Sequence, residues 1–522
     1  MKKLLLSTLI VLSFTANLSA KRSKTLSQDD TYTNPIIHAD YSDPDVIRVE
    51  DDYYMIASSF NCLPGIPVLH STDLVHWEII NHVIDSLPFD RFNLPVHGRG
   101  AWAPCLRYHD GKFYVYVCTP DEGLFVAITD DILGKWELTH VAKVQLWEDP
   151  SPLWDDDGDA YLVRSKLGGS LLYLHKMSPD GKSLLDDGVV IFDDPAHKTI
   201  EGPKFMKHNG YYYINAPAGG VVEGWQTSLR SKSIYGPYEA KIVLEQGSTE
   251  VNGPHQGGLV DTKSGEWWFI HFQAKGAYGR IAHLQPVEWV DGWPMMGVEK
   301  DGVQEPVMSY KKPNIPDRHT ITKPQTSDEF DASTLALQWQ WHANPQAEWY
   351  SLSANPGKMR LYSAPVPTHR GNLHYAPNLL LQKFPTEEFS ATTSVEFTPE
   401  LQGEKCGLVV MGNTHWYLSL QKSGECVKLR LYTGRGNNID DPTELLQEVD
   451  LDMNSCHLRV DVTKGAECQF SYSLDGETFT TIGDSFAAKQ GGWIGAKVGI
   501  FSVSPSLVLS GGYADFENFI ID

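Results

Sequence analysis

The chain has 522 residues, and its 66 acidic against 43 basic residues give a net charge of −23. This charge argues against a nucleic acid or an anionic membrane surface as a partner, because both repel acidic proteins. The length exceeds that of a single hydrophobic core and predicts two or three domains. The 15 Trp and 23 Tyr residues suit a sugar ligand, whose flat faces pack on aromatic rings, although core packing accounts for most of them.

The first residues have the pattern of a secretory signal peptide, predicted over residues 1–20. Two lysines precede an apolar run from Leu4 to Phe14, and small residues follow as far as Ala20. The apolar run is too short to span a bilayer, so membrane insertion is not expected. No cysteine precedes Cys62, which argues against a lipid anchor at the cleavage site. The mature protein is expected to be secreted, into the periplasm if its source has two membranes.

Five similar segments repeat between residues 34 and 305. Each begins at a proline, continues through a short apolar run, turns on Gly or Asp and ends in one or two aromatic residues. The prolines are 60, 46, 53 and 51 residues apart, at Pro44, Pro104, Pro150, Pro203 and Pro254. Repeats of this length are typical of propeller blades or solenoid units, and strand–turn–strand signals without a helical period favour the propeller. We therefore predict an all-β fold with a five-bladed β-propeller over residues 34–305.

A carboxylate stands before three of these prolines. Asp43 and Asp149 directly precede a proline, and Glu201 lies two residues before one. An aspartate before a proline often only starts a turn. In a propeller, however, the equivalent starts of the innermost strands face one central axis. Three acids in register therefore predict a single acidic pocket.

A second domain is predicted after a linker. Residues 306–326 contain four prolines and several lysines, a composition suited to a semi-rigid linker. Beyond them, residues 327–522 hold evenly spaced strand-like runs with little sign of helix. This rhythm predicts a two-sheet β-sandwich. Such a domain either binds sugar or packs against its neighbour, and the sequence leaves both readings open.

At these residues the sequence resembles glycoside hydrolase family 43, of the β-xylosidase and α-L-arabinofuranosidase type. The resemblance covers residues 34–300 and implies a five-bladed propeller with three central acids. It extends over residues 327–522, which resemble the concanavalin-like β-sandwich (jelly-roll) domain that follows the propeller in those branches. The matching stretches are Tyr41-Ser42-Asp43-Pro44-Asp45, Gly100-Ala101-Trp102-Ala103-Pro104, Glu148-Asp149-Pro150-Ser151-Pro152, Ile200-Glu201-Gly202-Pro203 and Gly279-Arg280.

The resemblance implies roles for the three acids. Asp43 is the expected general base, Glu201 the general acid, and Asp149 the residue that raises the pKa of the acid and holds it in place. Cleavage with inversion needs this pair, because one carboxyl protonates the leaving oxygen while another activates water on the opposite face. A third carboxylate nearby keeps the acid protonated through like-charge repulsion.

The resemblance also implies residues that surround the sugar. Arg280 can donate hydrogen bonds to sugar hydroxyls, while Phe60 and Trp102 can form apolar walls. The alternatives are a surface arginine and core aromatics. Trp493, in the predicted sandwich, is a candidate for the aromatic side chain that shortens the cavity in relatives. One departure is Lys204, which follows Glu-Gly-Pro where many relatives have histidine.

No cofactor is expected to be needed for the chemistry, but the resemblance implies two possible calcium positions. His255 matches the family's axial histidine, which faces a central cation or water in many relatives. A single imidazole is a weak ligand for calcium, so a hydrogen-bonded structural histidine is an equal alternative. Asp328 and Asp515 match positions that resemble a structural calcium site in the sandwich.

The expected function is that of an exo-acting, inverting glycosidase that releases terminal pentose from oligosaccharides. Within it, we favour a β-D-xylosidase acting on xylo-oligosaccharides, with α-L-arabinofuranosidase on arabinoxylan or arabinan as the alternative. A fructan-cleaving propeller hydrolase is disfavoured because the contexts of Glu201 and Asp43 differ from its motifs. A non-catalytic carbohydrate-binding protein has no need of three converging acids. The oligomeric state is left open.

Overall fold

The structure is a computed structural model that describes residues 30–315, 321–367, 371–439 and 441–522. The predicted signal peptide lies outside these residues. In the described part of the chain, no helix is both long and apolar enough to cross a membrane. The described helices are single 3-10 turns, at Asp90–Asn93, Pro195–His197, Gly276–Tyr278, Ala347–Trp349 and Leu373–Tyr375.

The first domain is a propeller of five antiparallel blades, each with four strands in sequence order. A short strand, β1 (Thr31–Thr33), precedes the blades. Blade 1 consists of β2 (Asp45–Val49), β3 (Asp52–Ile56), β4 (Gly65–Ser71) and β5 (Glu78–Ile84), and blade 2 of β6 (Trp102–His109), β7 (Lys112–Thr119), β8 (Gly123–Thr129) and β9 (Glu137–Ala142). Blade 3 consists of β10 (Trp147–Trp154), β11 (Ala160–Lys166), β12 (Leu171–Met177) and β13 (Val189–Asp193), blade 4 of β14 (Lys204–His208), β15 (Tyr211–Ala218), β16 (Trp225–Ser231) and β17 (Glu239–Leu244), and blade 5 of β18 (His255–Asp261), β19 (Trp267–Ala274), β20 (Arg280–Val290) and β21 (Trp293–Met296).

The five repeated prolines lie at or beside the start of β2, β6, β10, β14 and β18, the first strand of each blade. Each of these strands is largely buried, and each is followed by a tight turn into an aromatic-rich second strand. The predicted five-bladed, all-β propeller is therefore confirmed.

Three short strands follow the blades: β22 (Val298–Lys300), β23 (Val303–Glu305) and β24 (Ser309–Lys311). β24 pairs with β1, so the predicted linker of residues 306–326 begins as part of a small two-stranded sheet. Asn34 strengthens this join, because its side-chain amide donates to the backbone carbonyls of Leu284 and Val307, both at 2.8 Å.

The second domain is a β-sandwich of an eight-stranded and a nine-stranded sheet, as predicted. The eight-stranded sheet contains β25 (Gln340–Trp341), β28 (Ala364–Pro365), β29 (Leu380–Lys383), β31 (Lys405–Met411), β32 (Thr414–Ser423), β33 (Cys426–Arg435), β34 (Glu444–Asp450) and β39 (Lys497–Ser504). The nine-stranded sheet contains β26 (Tyr350–Ser351), β27 (Met359–Tyr362), β30 (Phe389–Thr398), β35 (Ser455–Thr463), β36 (Glu467–Ser473), β37 (Thr480–Thr481), β38 (Phe486–Ala487), β40 (Tyr513–Phe516) and β41 (Ile520–Ile521).

The two domains share buried surface rather than meeting only at a linker. Tyr278 of the propeller belongs to the hydrophobic core of the sandwich, and its hydroxyl donates to the carbonyl of Glu387 at 2.9 Å and accepts from the amide of Ala466 at 2.7 Å. The amide of Gly495 donates to the carboxylate of Asp40 at 3.0 Å. The sandwich therefore fixes the segment of the propeller that leads to Arg280.

A group of histidines is buried where the domains meet. The rings of His97 and His374 stack with centroids 3.6 Å apart, and those of His342 and His415 lie within 6.4 Å of His374. Burial lowers the pKa of His97 to about 4 and that of His415 to about 3. These imidazoles are therefore neutral in the folded protein at neutral pH.

The histidines predict a loss of stability in acid. The pKa of His415 is lower in the folded than in the unfolded state. The stability that the neutral imidazole contributes to the folded protein is therefore fully present above about pH 6.5 and is lost as the pH falls toward 3. This loss lowers the free energy of unfolding by at most about 1.4 kcal/mol per pH unit. In the described chain neither ring nitrogen of His415 has a hydrogen-bond partner, so His415→Phe leaves no bond broken. The Tm of this variant should fall less steeply between pH 6.5 and 4 than that of the wild type. Parallel curves would contradict this.

Candidate active site

Asp43 directly precedes β2 and is held by three donors. One carboxylate oxygen accepts from the guanidinium of Arg280 at 3.0 Å, and the other accepts from the hydroxyls of Ser58 and Ser42 at 2.6 and 2.8 Å. The side chain is 7 % exposed. Donors aimed at both oxygens fix the orientation of the carboxyl group. Asp43 is therefore a positioned carboxylate.

Arg280 begins β20 and connects several parts of the pocket. Its guanidinium also donates to Ser42 at 2.6 Å and lies over the rings of Phe272 and Trp493, 4.8 and 5.7 Å from their centroids. Its backbone amide donates to Asp40 at 2.9 Å. The arginine is thus fixed by contacts from both domains.

Asp149 lies near the start of β10 and links two blades. One of its oxygens accepts from the hydroxyl of Ser165 at 2.7 Å and from the backbone amide of Gly202 at 2.8 Å. Gly202 follows Glu201, so Asp149 holds the backbone that carries the second acid. Burial and the charge of Glu201 raise the pKa of Asp149 to about 6. Near neutral pH this carboxyl therefore takes up a proton more readily than an exposed aspartate.

Glu201 is more open to solvent than the two aspartates, with 31 % of its side chain exposed. One of its oxygens lies 2.6 Å from Nε2 of His255, the first residue of β18. A neutral imidazole with Nε2 free can accept a bond from the protonated acid, and with Nε2 protonated it can donate to the carboxylate. Glu201 thus has a partner in either protonation state while reaching the pocket.

His255 was also predicted to face a central cation. Its Nε2 is engaged by Glu201, and its Nδ1 is buried without a hydrogen-bond partner among the described residues. Calcium prefers six to eight oxygen ligands. One neutral nitrogen does not meet that requirement, so these contacts favour the alternative of a hydrogen-bonded histidine.

Phe60 and Trp102 lie together beside the pocket. Their rings meet edge to face at 6.4 Å, and they form a small buried cluster with Cys62 and with Ile494 of the sandwich. The indole of Trp102 donates to the carbonyl of Gly98 at 3.0 Å. Both aromatics therefore make up part of the contact between the domains.

Trp493 extends from the sandwich toward the propeller, and 54 % of it is exposed. Besides lying next to Arg280, its ring packs against Gly98. The backbones approach so closely here that a Cβ on Gly492 would be 2.9 Å from the amide nitrogen of Gly98. Glycine at that position allows the loop to bring the indole to the propeller.

Lys204 is the first residue of β14. It is buried, and its ammonium lies 3.4 Å from the carbonyl of Pro104. In the described chain it has no ion pair within 4.0 Å. The unusual residue after Glu-Gly-Pro therefore forms part of the propeller interior.

The predicted calcium site at Asp328 and Asp515 does not fit the structure. Asp515 forms a bidentate salt bridge with Arg360, in which Nε and Nη2 each donate to one carboxylate oxygen at 2.7 Å. It also accepts a hydrogen bond from the side-chain amide of Asn355. Asp328 accepts at 2.8 Å from the indole of Trp339. Arginine and indole donors occupy the oxygens that a cation would need, so these acids stabilise the sandwich through hydrogen bonds.

One acidic residue of the pocket was not predicted. Glu148 is buried, and carboxylate oxygens of Glu148, Asp149 and Glu201 lie within 4.8 Å of one another. Alternation along a strand would place Glu148 and Asp149 on opposite faces. The pairing of β10 with β11, however, shifts by one residue between Glu148 and Ser151. This bulge turns two consecutive carboxyls toward one pocket.

A five-bladed propeller with paired carboxyls, an arginine and aromatic rings at its centre defines a glycoside hydrolase. The chain belongs to glycosyl hydrolases family 43, whose profile matches residues 32–294. Residues 327–522 match the beta xylosidase C-terminal concanavalin A-like domain. The resemblance predicted from the motifs is confirmed over both domains.

The relatives align with most of the chain. A putative beta-xylosidase of Xylanibacter ruminicola is 42 % identical over 482 residues, which cover 90 % of this chain and 86 % of the relative. A non-reducing end alpha-L-arabinofuranosidase of Bacteroides ovatus, BoGH43B, is 32 % identical over 435 residues, 78 % and 80 % of the two chains. Among solved structures, the GH43 protein BlXynB from Bacillus licheniformis has a TM-score of 0.82 at 27 % identity, covering 94 % of this chain and 99 % of its own.

The contact between Trp493 and Arg280 predicts an effect on substrate affinity. Trp493→Ala removes an aromatic face and a cation–π contact worth about 0.5–2 kcal/mol, so KM should rise about 3- to 30-fold with a smaller change in kcat. Trp493→Phe keeps a ring and should recover most of the affinity. Steady-state kinetics on an aryl pentoside measure both variants. A wild-type KM in the alanine variant would contradict this role.

Proposed function

We propose that the protein is an exo-acting, inverting glycoside hydrolase that releases terminal pentose, most specifically a β-D-xylosidase acting on xylo-oligosaccharides. The arrangement that carries the proposal is the carboxylate of Asp43, held by Arg280, together with Glu201 on its own partner His255. The names of several relatives, among them those from Xylanibacter ruminicola and Bacillus subtilis, support the sugar.

In this proposal Asp43 activates the attacking water. Its hydrogen bonds with Ser58 and Arg280 hold it in a fixed orientation. Such a carboxylate can take a proton from water as the water attacks the anomeric carbon. The proton moves to Asp43, and the oxygen of the water forms the new bond to carbon.

Glu201 supplies the other proton. It protonates the glycosidic oxygen as the bond between that oxygen and the anomeric carbon breaks, so the leaving sugar departs as an alcohol. His255 then donates to the resulting carboxylate, and Asp149 keeps the backbone of Glu201 in place through Gly202.

Release of single sugars is supported by the side of the pocket that the sandwich forms. Trp493 lies beside Arg280, and Phe60 and Trp102 pack with Ile494. These residues would close the pocket around the terminal sugar that is released, so that no further sugar unit could be bound beyond it. The leaving portion of an oligosaccharide would extend into solvent on the open side.

The proposed reaction needs no cofactor, because base, acid and water account for every proton and bond. We also propose that the protein is exported and works on oligosaccharides in the periplasm, on the basis of the signal-peptide pattern in residues 1–20.

A second candidate is an α-L-arabinofuranosidase, favoured by the similarity to the Bacteroides ovatus enzyme. The same acids would act in that reaction, and only the shape of the sugar pocket would differ. A non-catalytic sugar-binding role is disfavoured, because four buried or half-buried carboxyls around one pocket cost stability that binding alone does not require.

The choice between the two sugars is tested with nitrophenyl β-D-xylopyranoside and nitrophenyl α-L-arabinofuranoside. We expect kcat/KM to be about tenfold or more higher for the xyloside, since pocket shape discriminates sugars at that level. A higher value for the arabinoside would replace xylosidase by arabinofuranosidase. Failure to cleave either would contradict the proposed substrate class.

The role of Glu201 is tested through the leaving group. Glu201→Gln cannot donate a proton, so kcat on xylobiose should fall about 10²- to 10⁴-fold. A dinitrophenyl xyloside, whose leaving group needs little protonation, should be affected much less. Glu223→Gln, an exposed surface change, is the matched control and should retain wild-type rates. An equal loss on both substrates would argue against Glu201 as the acid.

A further inference from the structure

Glu148 is a fourth carboxyl in a pocket whose proposed chemistry uses three. It is buried, and its oxygens lie near those of Asp149 and Glu201. The one-residue bulge in β10 points it inward. It belongs to the sequence Trp147-Glu148-Asp149-Pro150, directly before Asp149.

The charges around Glu148 are mostly negative. Asp43 is paired with Arg280 and Glu201 with His255, whereas in the described chain no cationic nitrogen lies within 4.0 Å of the carboxyl of Glu148 or Asp149. The side chains of two further residues face this region: Cys118, whose thiol pKa is raised by burial, and Arg164, which is held between the rings of Trp147 and Tyr173.

Two adjacent buried carboxylates without a cation cannot both be ionised at low cost. Burial, and next the charges of Asp149 and Glu201, raise the pKa of Glu148 to about 9. A carboxylic acid that stays neutral at neutral pH becomes a hydrogen-bond donor. The position of Glu148 and the charges around it therefore both indicate that Glu148 is the protonated carboxyl of this cluster.

We propose that Glu148 is a positioning residue of the hydrolysis, a neutral carboxylic acid that donates its one O–H hydrogen bond, directly or through one water, to the carboxylate of Asp149 or, once Glu201 has lost its proton, to that of Glu201. This rests on the proposed role of Glu201 as the acid. When Glu201 has given its proton to the leaving oxygen, the O–H of Glu148 stabilises the carboxylate that remains. Glu148 keeps its own proton throughout, so no further reactant is needed.

The kinetic test compares Glu148→Ala with Glu148→Gln. A hydrogen bond to a charged group contributes about 1.5–3 kcal/mol, so the alanine variant should lose about 10- to 100-fold in kcat with little change in KM. Glutamine keeps the shape and a neutral donor, and it should recover most of that loss. If the glutamine variant is as slow as the alanine variant while its Tm is unchanged, or if alanine has wild-type kcat, the proposal is wrong.

Infrared difference spectroscopy provides a test that needs no substrate. The spectrum of the wild type minus that of Glu148→Gln at pH 7 should contain the C=O stretch of a protonated carboxyl, and this band should disappear as pH is raised through about 9. Absence of the band at pH 7 would overturn the proposal, even if Glu148→Ala does not fold. The result is independent of the substrate assignment, which fails separately if the wild type cleaves neither pentoside.

Discussion

The pocket depends on backbone that is held in an unfavourable conformation. Asp43, Ala103 and Asp149 each precede a proline and have positive φ values of 54°, 34° and 55°. Non-glycine residues rarely adopt this region, and each such residue costs about 1–3 kcal/mol and persists only where its surroundings enforce it. Here the hydrogen bonds of Asp43 and Asp149 supply that enforcement. The same backbone turns direct the carboxylates of Asp43 and Asp149 toward the axis of the propeller. The strained backbone is therefore what places these two acids in the pocket.

The hydrogen bond from the amide of Gly202 to the carboxylate of Asp149 joins blade 4 to blade 3 and so fixes the position of Glu201 relative to Asp149. A shift of blade 3 against blade 4 would move Glu201 relative to Asp149, and proton transfer is sensitive to such displacement. The sandwich adds a second restraint, because Asp40 bonds both Arg280 and Gly495. The position of the arginine that holds Asp43 therefore depends on the second domain. This explains in physical terms why the sandwich is packed into the propeller rather than tethered to it.

Much of the fold could be predicted from the sequence because its repeat is local. A proline, an apolar run and a turn recur in every blade, and register then brings Asp43 and Glu201 to one axis. Glu148 was missed because a bulge overrides the alternation that strand patterns assume. The calcium site at Asp515 was expected from the resemblance to family positions, whereas the partner that occupies this carboxylate, Arg360, lies 155 residues away in the sequence. Partners brought together by tertiary pairing leave no local signal.

The central claim is that Asp43 and Glu201 act from opposite faces of the sugar in a single displacement. Proton NMR of the anomeric signals during cleavage of xylobiose tests it most directly. The account predicts that the xylose released from the non-reducing end first appears as the α-anomer, since water replaces a β-linked oxygen from the opposite side. Initial release of the β-anomer would indicate a covalent intermediate and would contradict the role of Asp43 as a base that activates water.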